Sequence, residues 1–126
     1  MVDTNGLVLG VFVSAADLDE REGAKSLLTS VASRFPLLSK IWADSGYQGP
    51  FIDWVKTHFD IDVEIIKRTD DLRGFKIVPR RWVVERTFGW FGCFKRLAKD
   101  YELLPEHSES IIYLAMMRIM LNRLIA

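Results

Sequence analysis

The apolar positions of the chain fall into short runs and helical faces separated by turn signals. Val2 to Thr4 precedes Asn5-Gly6, a pair suited to a hairpin turn, and an apolar run from Leu7 to Val13 follows. The opening therefore predicts two paired strands, the first very short. Asp17 to Glu22 is acidic, as the first turn of a helix favours. Ala24, Leu27, Leu28, Val31 and Phe35 then recur on one helical face that ends before Pro36. Leu37 to Ala43 reads as a strand closed by Asp44-Ser45-Gly46. Pro50 opens a helix that runs to about Phe59, and Ile61 to Ile66 alternates as a strand.

Leu72 to Val78 reads as a charged loop, and Pro79 opens a long helical pattern that reaches about Leu104. Pro105 punctuates, Ser108 is suited to cap a last helix, and Ile111 to Ile125 is apolar nearly all round, which predicts burial. The order strand, strand, helix, strand, helix, strand, helix, helix is a mixed α/β layout, expected as a single domain over residues 1–126. No internal repeat or low-complexity tract interrupts it. The run from Ile111 to Met117 is cut by Arg118, far short of the roughly 20 residues a bilayer span needs, so no membrane partner is expected. Met1 to Gly10 has no basic region ahead of a hydrophobic stretch, so no secretory signal is expected.

Composition adds two things. A lone Cys93 allows neither an internal disulfide nor a cysteine zinc cluster, which fits a reducing cytosol. The formal net charge is zero, but the first 66 residues hold 5 basic and 10 acidic side chains, while Lys67 to Lys99 holds 10 basic and 3 acidic. The basic stretch is suited to track a phosphate backbone, and it is equally suited to be a solvated surface.

On a helical wheel, Arg81, Gly89, Gly92, Arg96 and Lys99 lie within about 40° of Glu85, and Val83, Thr87, Trp90, Phe94, Leu97 and Ala98 take the opposite, core side. Glycine weakens a helix by about 1 kcal/mol against alanine, so Gly89 and Gly92 want a reason. Close approach of another backbone, protein or DNA, supplies one, and tight packing on the sheet another. Glu85 by itself reads as an ion-pair partner of Arg81 four residues earlier. Asp44 changes that, because it ends a strand in a glycine-containing turn, a position from which open α/β sheets present functional groups. Two acids from separate elements can share a divalent metal, and oxygen ligands suit magnesium or manganese. Trp42, Trp54, Trp82 and Trp90 read mainly as core; Trp82 lies about 60° from Glu85 on the wheel and is the one nearest that polar side. His58 and His107 show no zinc spacing.

The segments ADSGYQGPF (Ala43 to Phe51), PRRWVVERTFGWFGCFKRLAKDYE (Pro79 to Glu102), SESIIYLAMMRIMLNRL (Ser108 to Leu124) and VDTNGLVLGVFVSAAD (Val2 to Asp17) resemble the DDE transposases of the insertion-sequence-five group, within the insertion-sequence-four/five superfamily. The resemblance implies an α/β, ribonuclease-H-like mixed sheet with flanking helices. It places the second catalytic aspartate at Asp44 and the catalytic glutamate at Glu85, both as metal ligands. It also implies a two-metal magnesium or manganese site in the complete enzyme, and DNA as partner through transposon ends and target. The reaction implied is metal-dependent DNA cleavage and strand transfer in the bacterial cytoplasm. Arg81, Arg86, Lys95, Arg96 and Lys99 are the expected phosphate contacts, with Arg81 alternatively orienting Glu85.

The extended helix pattern departs at Val78, where part of the superfamily has a tyrosine, and at Gly92, where a basic residue is expected. Asp3 and Asp17 do not match the family's first aspartate, which lies upstream of the VDT segment. The expectation is therefore a partial, N-terminally truncated catalytic core without its first strand, inactive as an isolated chain. The alternative is a non-catalytic fragment that binds DNA or pairs with a full-length transposase; the partners expected are a second copy of the chain or the full-length transposase.

Overall fold

The structure, a computed structural model, describes residues 1–66, 80 and 82–126 of the 126-residue chain. Its elements are mixed α/β: α1 (Glu20–Arg34), β1 (Lys40–Asp44), α2 (Pro50–Phe59), β2 (Asp62–Ile66), α3 (Trp82–Gly92) and α4 (Pro105–Ile125). The chain divides into two compact units, residues 17–79 and residues 1–16 with 80–126. The charged loop expected at Leu72 to Val78 lies outside the described residues, as does Arg81.

In the 17–79 unit β1 and β2 pair in parallel, Lys40 opposite Asp62 and Asp44 opposite Ile66. Parallel neighbours need a crossover, and α2 provides it. Asp19 caps α1 by accepting the Arg21 amide, with Glu20 and Glu22 in the first turn, so the acidic stretch does what the helix dipole favours. Leu28 and Val31 of α1, Phe51 and Val55 of α2 and Ile61 before β2 are all buried and form the apolar interior of this unit. Helix α2 ends on Asp60 in the left-handed region at φ 54°, a conformation aspartate tolerates better than most residues. Lys56 reaches back to Asp60 at 2.7 Å and Asp62 at 2.9 Å, linking helix end to strand start.

One boundary moves. Strand β1 begins at Lys40, not Leu37, because Pro36 and Leu37 form a turn after α1 in which the Leu38 amide donates to the Phe35 carbonyl; Leu37 is 95% exposed.

In the other unit the opening is a tight turn rather than two strands. A single antiparallel bridge joins Val2 to Val8. The Gly6 amide donates to the Asp3 carbonyl at 3.0 Å, and the Asp3 carboxylate accepts the Asn5 and Leu7 amides at 2.9 and 2.8 Å. Gly6 has φ +82° while Asn5 is not in the positive region, so this is not the two-residue turn that needs both. Beyond it the run to Val13 is held by α4 instead of by a strand: the Val11 amide donates to the Tyr113 hydroxyl at 3.0 Å and the Val13 amide to Glu109 at 2.9 Å. Side-chain acceptors two residues apart satisfy one edge of an extended segment.

The long helix expected from Pro79 to Leu104 is broken. Helix α3 stops at Gly92, the Cys93 and Phe94 amides turn back onto Trp90 and Phe91 carbonyls, and Lys95–Leu97 is a separate 3-10 turn. Low helix propensity at Gly89 and Gly92 explains the stop, and i to i+3 bonds are the usual way a last turn tightens. Nothing described lies within 4 Å of a Cβ placed at either glycine, so close protein packing is not what these glycines serve among the described residues. Helix α4 buries one face only. Ala115 and Met116 pack with Phe91, and with Leu7, Val8, Phe94, Leu97, Ile112 and Ile119. Leu114, Met117, Leu121 and Leu124 on the opposite side are exposed, since nothing described in this unit covers a second face. The helix starts at Pro105 with Leu104 at its N-cap, so Ser108 lies inside the helix and does not cap it. Among the described residues no helix is long and apolar enough to cross a membrane.

Candidate functional site

Asp44 is the last residue of β1, at the carboxyl end of a parallel strand, and is exposed. Its carboxylate Oδ1 accepts the Gly46 amide at 2.9 Å, so the aspartate caps the 3-10 turn Ser45–Tyr47 that follows. Arg21 of α1 donates from Nε to the Gly46 carbonyl at 3.1 Å and fastens the other side of the turn. A Cβ at Gly46 would stand 3.1 Å from Asp44 Oδ1 and 3.5 Å from Glu20 Oε2, which shows both why glycine fits there and how near Glu20 is to Asp44. The sequence offered no spacing rule for the Glu20 approach, because it arises from the packing of α1 beside the strand end.

Tyr47 completes this corner. Its ring packs on Phe51 at 5.4 Å between centroids. Burial first, then the negative charges of Glu20, Asp44 and Asp19, push its hydroxyl above the ordinary tyrosine range. The folded state therefore favours the neutral phenol. The stability this contributes is fully present below pH 10 and is lost as pH rises through the raised folded value. A spectrophotometric titration is expected to show a tyrosine ionising later than the free side chain, and Tyr47→Phe should remove that step. A titration unchanged by Tyr47→Phe would contradict the acidic surroundings described.

Glu85 lies exposed in the first turn of α3, where the helix dipole favours a carboxylate. The residues after it anchor the helix. Arg86 places its guanidinium 4.3 Å from the Trp82 ring and 5.0 Å from the Trp90 ring, and donates from Nη2 to the Asn5 carbonyl at 2.8 Å. Arg123 of α4 lies over Trp90 as well, at 4.5 Å. Thr87 is buried, and its hydroxyl lies within hydrogen-bond reach of two carbonyls, Gly6 at 2.7 Å and Val83 at 3.0 Å. The alternation of Trp82, Arg86 and Trp90 at four-residue intervals was visible in the sequence and signals a stack along one helix side. The partners Arg123, Asn5 and Gly6 were not.

The expected cations divide by their surroundings. Arg96 is paired with Glu102, Nη2 at 2.7 Å and Nε at 2.8 Å from the same oxygen. Because the helix breaks at Gly92, neither Arg96 nor Lys99 continues the face that carries Glu85. Lys95 and Lys99 are exposed, with no ion-pair partner among the described residues. Arg81, expected both to contact phosphate and to orient Glu85, is outside the described residues. Asp44 and Glu85 belong to different compact units.

As to a metal, carboxylate oxygens are the donor chemistry that magnesium and manganese take, and Asp44 and Glu85 are both solvent-accessible carboxylates. Among the described residues no three His, Cys, Asp or Glu side chains lie close enough to hold an ion. The two acids thus fit such a cation in donor type.

The elements are those of a mixed α/β protein, with one exposed carboxylate at a strand end and another in the first turn of a helix. A family model for the transposase DDE domain matches residues 1–120, and the chain belongs to that family. It is a transposase domain, and DNA is the partner the family implies. Neither the curated proteins nor the solved structures yield a match.

Proposed function

We propose that the chain is catalytic-core sequence of a bacterial insertion-sequence transposase of the insertion-sequence-five group, built on a ribonuclease-H-like sheet, working on DNA in the cytoplasm. The observation that carries this is the position of Asp44: a carboxylate fixed at the carboxyl end of a parallel strand, in a chain that belongs to the transposase DDE family. Asp44 and Glu85 would hold magnesium or manganese. When bound, the metal stabilises charge on the attacking and leaving oxygens of an in-line phosphoryl displacement.

The protein's own contribution is orientation. The Gly46 amide and Arg21 hold the Asp44 turn, and α3 carries Glu85 in its first turn. Lys95 and Lys99 contact DNA phosphates, and Arg81 joins them or orients Glu85. Arg86 and Arg96, expected beside them, already have protein partners. Copies of the chain, or this chain with a longer transposase, would pair on two DNA ends.

The test is binding to duplex DNA across a salt series. Log K is expected to fall linearly with log salt, and Lys95→Gln with Lys99→Gln should make the slope shallower by roughly 0.9 for each cation that no longer meets a phosphate. In parallel, binding of Mn2+ followed by electron paramagnetic resonance should weaken in Asp44→Asn and in Glu85→Gln. A salt-independent affinity, or Mn2+ binding indifferent to both substitutions, would overturn the proposal.

A further inference from the structure

We infer that Arg86 is a positioning residue for Glu85, locking helix α3 onto the Asn5-Gly6 turn, and not itself a phosphate contact. The inference rests on the reading of Glu85 as a metal carboxylate.

Three features of one corner carry it. The Arg86 guanidinium is engaged with protein: Nη2 donates to the Asn5 carbonyl at 2.8 Å, the Trp82 and Trp90 rings lie 4.3 and 5.0 Å away, and Nε is buried with no hydrogen-bond partner among the described residues. A guanidinium placed against aromatic rings, with one donor bonded to a carbonyl and another shut away from solvent, has its position set by the protein. The next residue, Thr87, makes the second fastening, its hydroxyl 2.7 Å from the Gly6 carbonyl. The turn in its own right admits no slack. At Gly6 a Cβ would meet Thr87 Oγ1 at 2.8 Å and two Trp90 ring atoms at 3.1 and 3.2 Å. Glu85 is thus followed directly by two residues that each bond a successive carbonyl of one turn, and the turn is held rigid by Asp3.

The consequence is a division of labour along α3. Both rotation about the helix axis and sliding along it are blocked by paired bonds to Asn5 and Gly6, which sets where the first-turn glutamate points. Lysine at 86 could reach the Asn5 carbonyl but would lose the planar stack, so the position asks for arginine for a reason separate from charge.

The test uses the whole chain and separates the two roles. If Arg86 bonded a phosphate, Arg86→Gln would make the slope of log K against log salt shallower by roughly 0.9, whereas a positioning residue leaves the slope as in the wild type. Mn2+ affinity read by electron paramagnetic resonance is expected to fall about tenfold in Arg86→Gln, at the lower end of the effect that follows when the groups supporting a metal ligand are mutated. Thr87→Val should fall likewise, and Thr87→Ser, which keeps the hydroxyl, should restore the wild-type value. A shallower salt slope in Arg86→Gln overturns the inference, as does unchanged Mn2+ affinity in Arg86→Gln beside a weakened Glu85→Gln. If Glu85→Gln alone leaves Mn2+ affinity untouched, the carboxylate reading has failed and takes the inference with it, a result distinguishable from the other two.

Discussion

Gly6→Ala is expected to destabilise the unit formed by residues 1–16 and 80–126 by about 2–5 kcal/mol, from left-handed backbone strain of roughly 1–2 and overpacking of roughly 1–3. The strain follows from φ +82° and the overpacking from the 2.8 Å approach to Thr87 Oγ1 and the 3.1 Å approach to Trp90. Neither neighbour can give easily. Thr87 is buried and bonded to the Gly6 carbonyl, and Trp90 is placed by Arg86 and Arg123. Gly6→Asn separates the two causes. Asparagine tolerates positive φ, so it would recover most of the loss if strain dominated. It should instead be at least as damaging as alanine, because its larger side chain meets the same atoms. Chemical denaturation followed by tryptophan fluorescence reads both variants, and a loss below about 1 kcal/mol in Gly6→Ala would refute the close packing, since φ strain alone accounts for that much.

The second large effect is expected at Phe51, in the other unit. Phe51→Ala should cost about 3–5 kcal/mol, the range for truncating a buried phenylalanine. Phe51 is 4% exposed and shares its core with Leu28, Val31, Val55 and Ile61. Its ring lies 5.4 Å from Tyr47 and 6.4 Å from Trp54, so the truncation also removes support from the turn that Asp44 caps. The loss should appear as a lower urea midpoint at unchanged slope, the signature of altered stability without altered denatured-state compactness. Leu37→Ala is the control, expected within about 0.5 kcal/mol of wild type because the side chain is on the surface. Equal effects at the two positions would mean that the core is not where Phe51 lies.

Both effects depend on neighbours that the chain announces to different degrees. The helix that carries Phe51 was legible: proline at its first turn predicted Pro50 to about Phe59, and the helix spans those residues. Apolar periodicity found Leu28 and Val31 on α1. Asp44 was legible as a strand end before a glycine turn. Gly6 was legible only as a turn residue, and its approach to Thr87 and Trp90, from the far end of the sequence, was not. Helical pattern also misled. Continuing α3 past Gly92 put Arg96 and Lys99 on the Glu85 side, whereas two glycines end the helix there and Arg96 turns to Glu102. The all-round apolar pattern of α4 predicted burial on every side, but burial requires neighbours on every side.

What the sequence by itself determined was family membership through residues 1–120, the placement of Asp44 at a strand end and of Glu85 on a helix, the starts of α1 and α2, and the basic bias of the middle stretch. These depend on capping, periodicity and residue type, which act over a few neighbours. Tertiary structure alone decided which cations are committed to protein and which face water, that the Leu7 to Val13 run bonds to α4, and that the Asn5-Gly6 turn is fastened to α3. Those outcomes depend on groups brought together from distant points in the chain. A guanidinium near two aromatic rings and a carbonyl is stabilised by that surrounding, while the same side chain without it stays available to a phosphate.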